Sequence, residues 1–492
     1  MFNNYKKILV SAFAVASLTI MGCKKDYLDT KPTDQMSVDD LFSTTQNAYI
    51  ILNGMHNYLT APGAGGQGNA ADWGQKAHDL AHDAMGRDMV FTASGYDWFT
   101  YYYQYVSTQS STYWMPYISW TFYYRMINNA NTLLARIDAA EGSESEKADI
   151  KAQALAYRAW SYFSLANDFC LTYNAPGFAT AKGVPLMLEP TNLETEFKGR
   201  GLASDVYKQI VSDIEASIAN FNLSAEPRSD KSHINIDVAH GIYARIALMM
   251  GNYPKADEQA DLARVNYQLM TSNELLLGFN NNLNNEWMWA SNLAPDQSNQ
   301  RSLSCLMSWM DVNAPGYAGV GATRAIAKEL YDFMGADDVR KSQFSSSYIQ
   351  NKFHLQDPSG FVYNDLLMRA SEMYLIQIES KARANANDPD AIALLEELMQ
   401  IRQPSYDFAA TGRTLLEEAL LQRRLELWGE GFQIGDIKRL QIPIVRTPGA
   451  GNHSAAIALV MRINNNDPRL LMKIPQRELD NNNQMTAGDQ NP

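Results

Sequence analysis

His78-Asp79-Leu80-Ala81-His82 places two imidazoles one helical turn apart, the spacing by which zinc hydrolases hold their metal. That chemistry needs a glutamate as general base and a third ligand. Here the shorter Asp79 stands beside His78 and no third ligand follows at a matching spacing, so no metal site is expected. Gly63-x-Gly65-x-x-Gly68 spells a dinucleotide fingerprint by its letters alone. It lacks the preceding strand, the following helix pattern and the acidic residue that make such a loop cradle a pyrophosphate, and it reads as a flexible loop. Neither a G-x-S-x-G elbow nor a phosphate-binding loop occurs. Carboxylates are plentiful, but no spacing singles out a pair for acid–base hydrolysis. No catalytic residue and no cofactor is expected.

Aromatic residues offer a different chemistry. Trp73 follows Asp72, and Tyr96, Trp98 and Tyr101 lie in the run from Tyr96 to Tyr103. Trp309 and Tyr317 sit in a second, distant loop region. A flat ring matches the C–H face of a sugar, and Asp, Asn and Arg side chains match the hydroxyls at its edge. Asp83, Arg87 and Asp88, in the first loop region, could supply those hydrogen bonds. Such a platform binds without a nucleophile. Trp120, Phe122 and Tyr124 fall within a helix pattern, and Trp287 and Trp289 share one face of a short strand; these five are expected in the core.

The elements that must position these residues are mostly helical. Ser37-Val38-Asp39-Asp40 has the form of a helix cap followed by first-turn acids, which predicts a helix running to about Tyr58. Ala152, Leu155, Ala159, Tyr162, Phe163 and Ala166 recur at helical spacing, as do Val206, Ile210, Ile214 and Ile218. Another stripe runs from Leu415 to Trp428. Between Ala239 and Asn266, an apolar helical face, a Gly251-Asn252-Tyr253 break and a face of Ala256, Ala260 and Ala263 form one tetratricopeptide-like unit. A single unit cannot bury its apolar face, so several must stack. Trp120–Ala139 with Lys147–Cys170, and Arg369–Ala386 with Pro389–Ile401, are further pairs. Polar, Gly- and Asn-rich insertions around 61–103 and 277–321 interrupt them, and loops of that length are usually functional. The Arg423-Arg424 pair falls on the apolar stripe of its helix. A buried arginine must be answered, by Glu426, Glu430 or Asp436, in a structural ion network.

The N-terminus sets the compartment. Lys6 and Lys7 precede an uncharged apolar run, Ile8 to Gly22, too short to span a bilayer comfortably. It ends in Ile20-Met21-Gly22-Cys23, which resembles a lipobox with Ile in place of the usual Leu. Residues 1–22 then form a lipoprotein signal peptide, and acylated Cys23 anchors the mature chain, a single domain over 23–492, to membrane lipid. The net charge is −13, and −15 once Lys6 and Lys7 are removed, which argues against nucleic acid as a partner. Beyond Cys23 only Cys170 and Cys305 remain, in apolar company suited to buried free thiols.

Motifs in order along the chain carry a resemblance: Asp26-Tyr27-Leu28-Asp29-Thr30-Lys31-Pro32 near the start, Trp120-x-x-x-Tyr124-x-x-Ile127-x-x-Ala130-Asn131, Ala156-Tyr157-Arg158-Ala159-Trp160, Gly183-Val184-Pro185-Leu186, Asp338-Val339-Arg340, Arg369-Ala370-Ser371-Glu372-Met373, the stretch Arg424 to Arg439, and Ile474-Pro475-Gln476-Arg477-Glu478. Over nearly the whole mature chain the sequence is similar to the SusD/RagB family. Gln433 departs from it, where the family often has Arg or His. The resemblance implies an all-α, tetratricopeptide-like scaffold of about four helix pairs with long irregular loops and minor short strands. It also implies a non-enzymatic, cell-surface lipoprotein of the outer membrane that binds glycan and serves a SusC-like TonB-dependent transporter. A peptide-binding uptake component on the same scaffold is the alternative. Some members hold calcium, for which Asp337-Asp338 offers carboxylates without any spacing that calls for the ion.

Overall fold

The computed structural model describes residues 41–96, 98–192, 194–293 and 303–492; the Cys23 anchor, the Asp26–Pro32 motif and the Ser37–Asp40 cap lie outside them. The main helices are α1 Thr45–Tyr58, α2 Gln75–Met85, α3 Trp98–Tyr103, α4 Trp114–Arg136, α5 Glu144–Phe169, α6 Ala203–Phe221, α7 Ile236–Met249, α8 Tyr253–Arg264, α9 Leu306–Met310, α10 Ala370–Ala384, α11 Pro389–Arg402, α12 Leu415–Glu426 and α13 Gln433–Leu440. Short strands join them: β1 Met89–Phe91, β2 Trp287–Ala290, β3 Arg324–Ile326 and β4 Leu366–Arg369.

Local chemistry explains most boundaries. Thr44 caps α1 by accepting a hydrogen bond from the Asn47 backbone N–H, so the helix ending at Tyr58 begins at Thr45. Ser143 with Glu146, and Thr414 with Glu417, form capping boxes at α5 and α12. Asp388 caps α11, whose first residue is Pro389. Gly251, at φ +71°, turns the chain between α7 and α8, and Asn252 caps the second of them.

The long helices pack in succession: α4 on α5, α5 on α6, α6 on α7, α7 on α8, α8 on α10 across the intervening insertion, and α10 on both α11 and α12. These eight helices build the tetratricopeptide-like scaffold. Ala152, Ala159 and Ala166 of α5, and Ala256, Ala260 and Ala263 of α8, are all buried, and their small side chains let neighbouring axes approach. Between α5 and α6, Arg158 forks onto Asp213 with contacts of 2.6 and 2.8 Å.

Both insertions hold more regular structure than the sequence suggests. The first contains α2, β1 and α3; the second contains β2 and α9. The first insertion meets the strand that directly follows the second through β1 and β3, which pair antiparallel with Met89 opposite Ile326 and Phe91 opposite Arg324. Two segments more than 200 residues apart in sequence thereby come to lie side by side. Trp287 and Trp289 are buried in β2, paired with β4 across a bulge, and Trp120 and Phe122 are buried in α4, as expected, while Tyr124 is half-buried. Cys170 and Cys305 are both buried, and burial pushes the Cys170 thiol up to about 11.

The glycine loop has a defined structure after all. The backbone N–H groups of Gly65, Gln67 and Gly68 converge on the Asp72 carboxylate at 2.6, 2.7 and 3.3 Å. It is a nest of amides of the kind that could hold an anion, filled by the chain's own carboxylate.

Candidate ligand-binding face

The aromatic residues fall into an ordered group at the junction of the two insertions. The Tyr96 ring is 49% exposed and lies parallel to the Trp98 indole, with centroids 6.2 Å apart and an interplanar angle of 8°. Tyr317 meets Tyr96 edge-on at 4.7 Å and Trp98 at 5.3 Å. Beneath them Trp309 stacks on Tyr317 at 4.2 Å and takes the edge of Trp98 at 5.9 Å. Exposure falls steadily with depth: Tyr96 outside, Trp98 and Tyr317 half-buried, Trp309 fully buried. Burial, then the neighbouring Tyr96, raise the Tyr317 phenol, so its hydroxyl stays a hydrogen-bond donor at neutral pH.

The group is held from below. Phe99 of α3 packs between Trp309 and Trp73. The indole N–H groups of Trp73 and Trp309 both donate to the Ala70 carbonyl, at 2.7 and 3.1 Å. Arg324 of β3 lies over the Phe91 ring at 3.7 Å and 5.5 Å from the Trp309 ring. Its Nη1 donates to the Ala322 and Thr323 carbonyls, and burial pulls its pKa down to about 9. The sequence carried no sign of this arginine's position, which depends on the β1–β3 register. Tyr96 adopts φ +60°, a left-handed conformation that a bulky side chain occupies only under constraint, at a cost of about 1–3 kcal/mol.

Several sequence expectations need correction. Trp73 is 2% exposed and Trp309 fully buried, so neither offers a free ring face; both form the floor. Tyr101 is half-buried and meets Tyr113 edge-on, in a ring contact apart from the Trp98 group. Asp83, Arg87 and Asp88 do not join the aromatics at all. Asp83 is buried and accepts from the backbone N–H of Gly431 and Gln433, at 3.0 and 3.2 Å. Burial, only partly countered by those amides, lifts its pKa to about 7. Asp88 is buried and clasped by Arg424 through contacts of 2.6 and 2.9 Å. The oxygens meant for ligand hydroxyls are thus engaged in docking α2 and β1 against α12 and α13. Gln433 completes this junction by accepting from the backbone N–H groups of Arg87 and Asp88, which a guanidinium in its place could not do.

The other look-alikes are structural too. His82 pairs with Asp168 at 2.8 Å, and His78 packs against the rings of Phe122 and Tyr123. Asp337 accepts from Ser405, and Asp338 pairs with Arg340. Among the described residues, no group of three or more His, Cys, Asp or Glu is arranged to hold a metal ion.

Burial lowers the His78 and His453 imidazoles to about 4. An unfolded histidine titrates near 6.5, so between pH 6.5 and 4 the unfolded chain takes up protons that the native one refuses, and stability falls as pH falls. Asp83 acts in the opposite sense, because its raised pKa favours the native state as pH drops from 7 toward 4. A variant isolates one contribution. His78→Leu should lose less stability than the parent between pH 6.5 and 4, by about 3 kcal/mol, in urea unfolding at each pH. Parallel pH profiles for the two proteins would refute the assignment.

The comparisons with known proteins agree with this architecture. Residues 26–248 match a SusD-like family described as starch-binding and associating with the outer membrane, and residues 335–492 match the SusD family. Among solved structures, a SusD-like carbohydrate binding protein from Bacteroides vulgatus ATCC 8482 is 28% identical, with a TM-score of 0.77 over 92% of this chain and 98% of that one. A laminarin binding SusD-like protein is 20% identical, with a TM-score of 0.65 over 92% and 99%. Surface glycan-binding protein A from Bacteroides thetaiotaomicron, solved in complex with laminarihexaose, is 17% identical, with a TM-score of 0.68 over 91% and 99%. At those last two identities the likeness is one of fold. No curated protein matches the sequence. With both ends of the chain matched to its models and the helical scaffold shared with its solved structures, this protein belongs to the SusD/RagB family.

Proposed function

We propose that this chain is a non-catalytic, cell-surface glycan-binding lipoprotein, anchored in the outer membrane through acylated Cys23, which hands its ligand to a SusC-like TonB-dependent transporter. The observation that carries the reading is the graded aromatic group, in which Tyr96, Trp98 and Tyr317 present ring surface outward over a rigid floor of Trp309 and Trp73. Ring faces accept sugar C–H surfaces in any of several linkages, which suits capture of a polymer. The laminarin and laminarihexaose ligands of two fold relatives support a glycan as the ligand class. Buried carboxylates such as Glu426, Glu430 and Glu379 are tied into ion pairs, an arrangement for stability rather than for proton transfer. No helix among the described residues is long and apolar enough to cross a membrane; what supports a lipid anchor is the lipobox-like Ile20-Met21-Gly22-Cys23.

Calorimetry against a panel of polysaccharides and oligosaccharides, laminarihexaose among them, tests the reading. Binding of at least one glycan without release of reducing sugar is expected. Peptides that bind while every glycan fails, or reducing sugar appearing in proportion to protein, would overturn it.

A further inference from the structure

Asp83, Arg87 and Asp88, although absent from the aromatic face, line a different feature: a trough of about 760 Å³ along α12 and α13. That size is typical of a site for a small organic molecule. One flank is apolar. Leu416 and Leu420 stand one turn apart on α12, both only half-buried, and Phe432 and the half-exposed Phe333 add ring surface. Arg424 follows Leu420 by one further turn, so a single helix face runs from apolar to cationic.

The cationic end is short of counter-charge. Arg87 and Arg424 both line the trough, and the one carboxylate paired with them, Asp88, is gripped at both oxygens by Arg424. The Arg87 guanidinium makes no ion pair or hydrogen bond among the described residues, and only its backbone groups are engaged. The other charges around the trough are already matched or masked. Arg423 and Asp436 pair with each other, Arg413 pairs with Glu418, and the exposed Glu417 closes the cap of α12. Burial, then the neighbouring Arg424, pull the Arg87 pKa down, and the nearby Asp88 and Glu329 carboxylates only partly offset them. In a chain of net charge −13, two guanidiniums, one of them without a direct ion pair, thus stand beside an apolar wall.

We propose that the trough is a second binding site, separate from the aromatic face, for an amphipathic anion: a carboxylate carried on a hydrocarbon or aryl body. The carboxylate would sit between Arg87 and Arg424, and the apolar body would lie along Leu420, Leu416 and Phe333. A planar guanidinium offers a carboxylate two parallel N–H donors, and the partly desolvated site strengthens them.

Titration calorimetry of the full chain with decanoate, decanol and decyltrimethylammonium, below their micelle concentrations, tests the proposal. Decanoate should bind at least about tenfold tighter than decanol, the equivalent of one charge-assisted contact, and the cationic amphiphile should not bind. Arg87→Met should weaken decanoate by about tenfold or more, while Leu420→Gln weakens decanoate and decanol together. Equal affinity for decanoate and decanol, no decanoate binding, or an Arg87→Met variant that binds decanoate unchanged would each overturn it.

Discussion

Trp98→Ala lowers glycan affinity by roughly 30-fold or more, about 2 kcal/mol, the scale of a binding hot spot, while the chain stays folded. Trp98 is the hinge of the aromatic group, since it touches Tyr96, Tyr317 and Trp309 at once. Truncating it removes a ring face and also the edge against which Tyr317 is set, so the two outer phenols lose their mutual alignment. Because the indole is only half-buried, its removal leaves a surface notch rather than a sealed cavity, and the stability cost is smaller than for a core tryptophan. Trp309→Ala should behave differently: it lies fully buried, so affinity and denaturant midpoint should fall together. Calorimetry with whichever glycan the panel identifies, alongside urea unfolding, separates the two cases. Undiminished affinity in Trp98→Ala would move the site elsewhere.

Glu426→Gln is expected to cost about 3–5 kcal/mol of stability, a large share of what a folded protein has in reserve. Glu426 receives Arg369 at 2.7 Å, Arg402 at 2.8 Å and Arg340 at 3.3 Å, all of them almost fully buried. Burial alone would raise its carboxyl; the three guanidiniums override that and hold it well below the ordinary carboxylate range. Around it, Arg369 also reaches Glu286 and Glu430, Lys352 reaches Glu430, and Arg340 reaches Asp338. Four cations and four carboxylates balance. Glutamine matches glutamate in shape but leaves the cluster with one uncompensated charge in a low-dielectric interior. Because the cluster joins the ends of β4, α11 and α12, the loss should appear in global unfolding rather than in local fraying. A denaturant midpoint equal to that of the parent would show that the network adds no stability.

The same cluster shows how far the sequence could be read. Asp338-Val339-Arg340, Arg369-Ala370-Ser371-Glu372-Met373 and the stretch from Arg424 to Arg439 stand apart as separate motifs, yet Arg340 of the first and Arg369 of the second converge on Glu426 of the third. That Arg423 needs a carboxylate follows from its place on an apolar helical stripe, and Asp436, thirteen residues on, supplies it. That Arg424 would find Asp88, 336 residues upstream, does not follow from any local pattern.

Helix positions, caps and stacking order were written in local residue chemistry: alanine stripes at helical spacing, Asp388 before Pro389, and Gly251 before the capping Asn252 all act within one or two turns. Which aromatics face outward was decided only when β1 met β3 and two remote loops closed on each other, sinking Trp73 and Trp309 while leaving Tyr96 exposed. The same assembly turned Asp83 and Asp88 from candidate ligand contacts into tethers for α12 and α13. The physical reason is range. Backbone hydrogen bonds and periodicity act over a few residues, whereas solvent exposure and charge pairing depend on every segment that packs nearby, and no stretch of sequence contains its own neighbours.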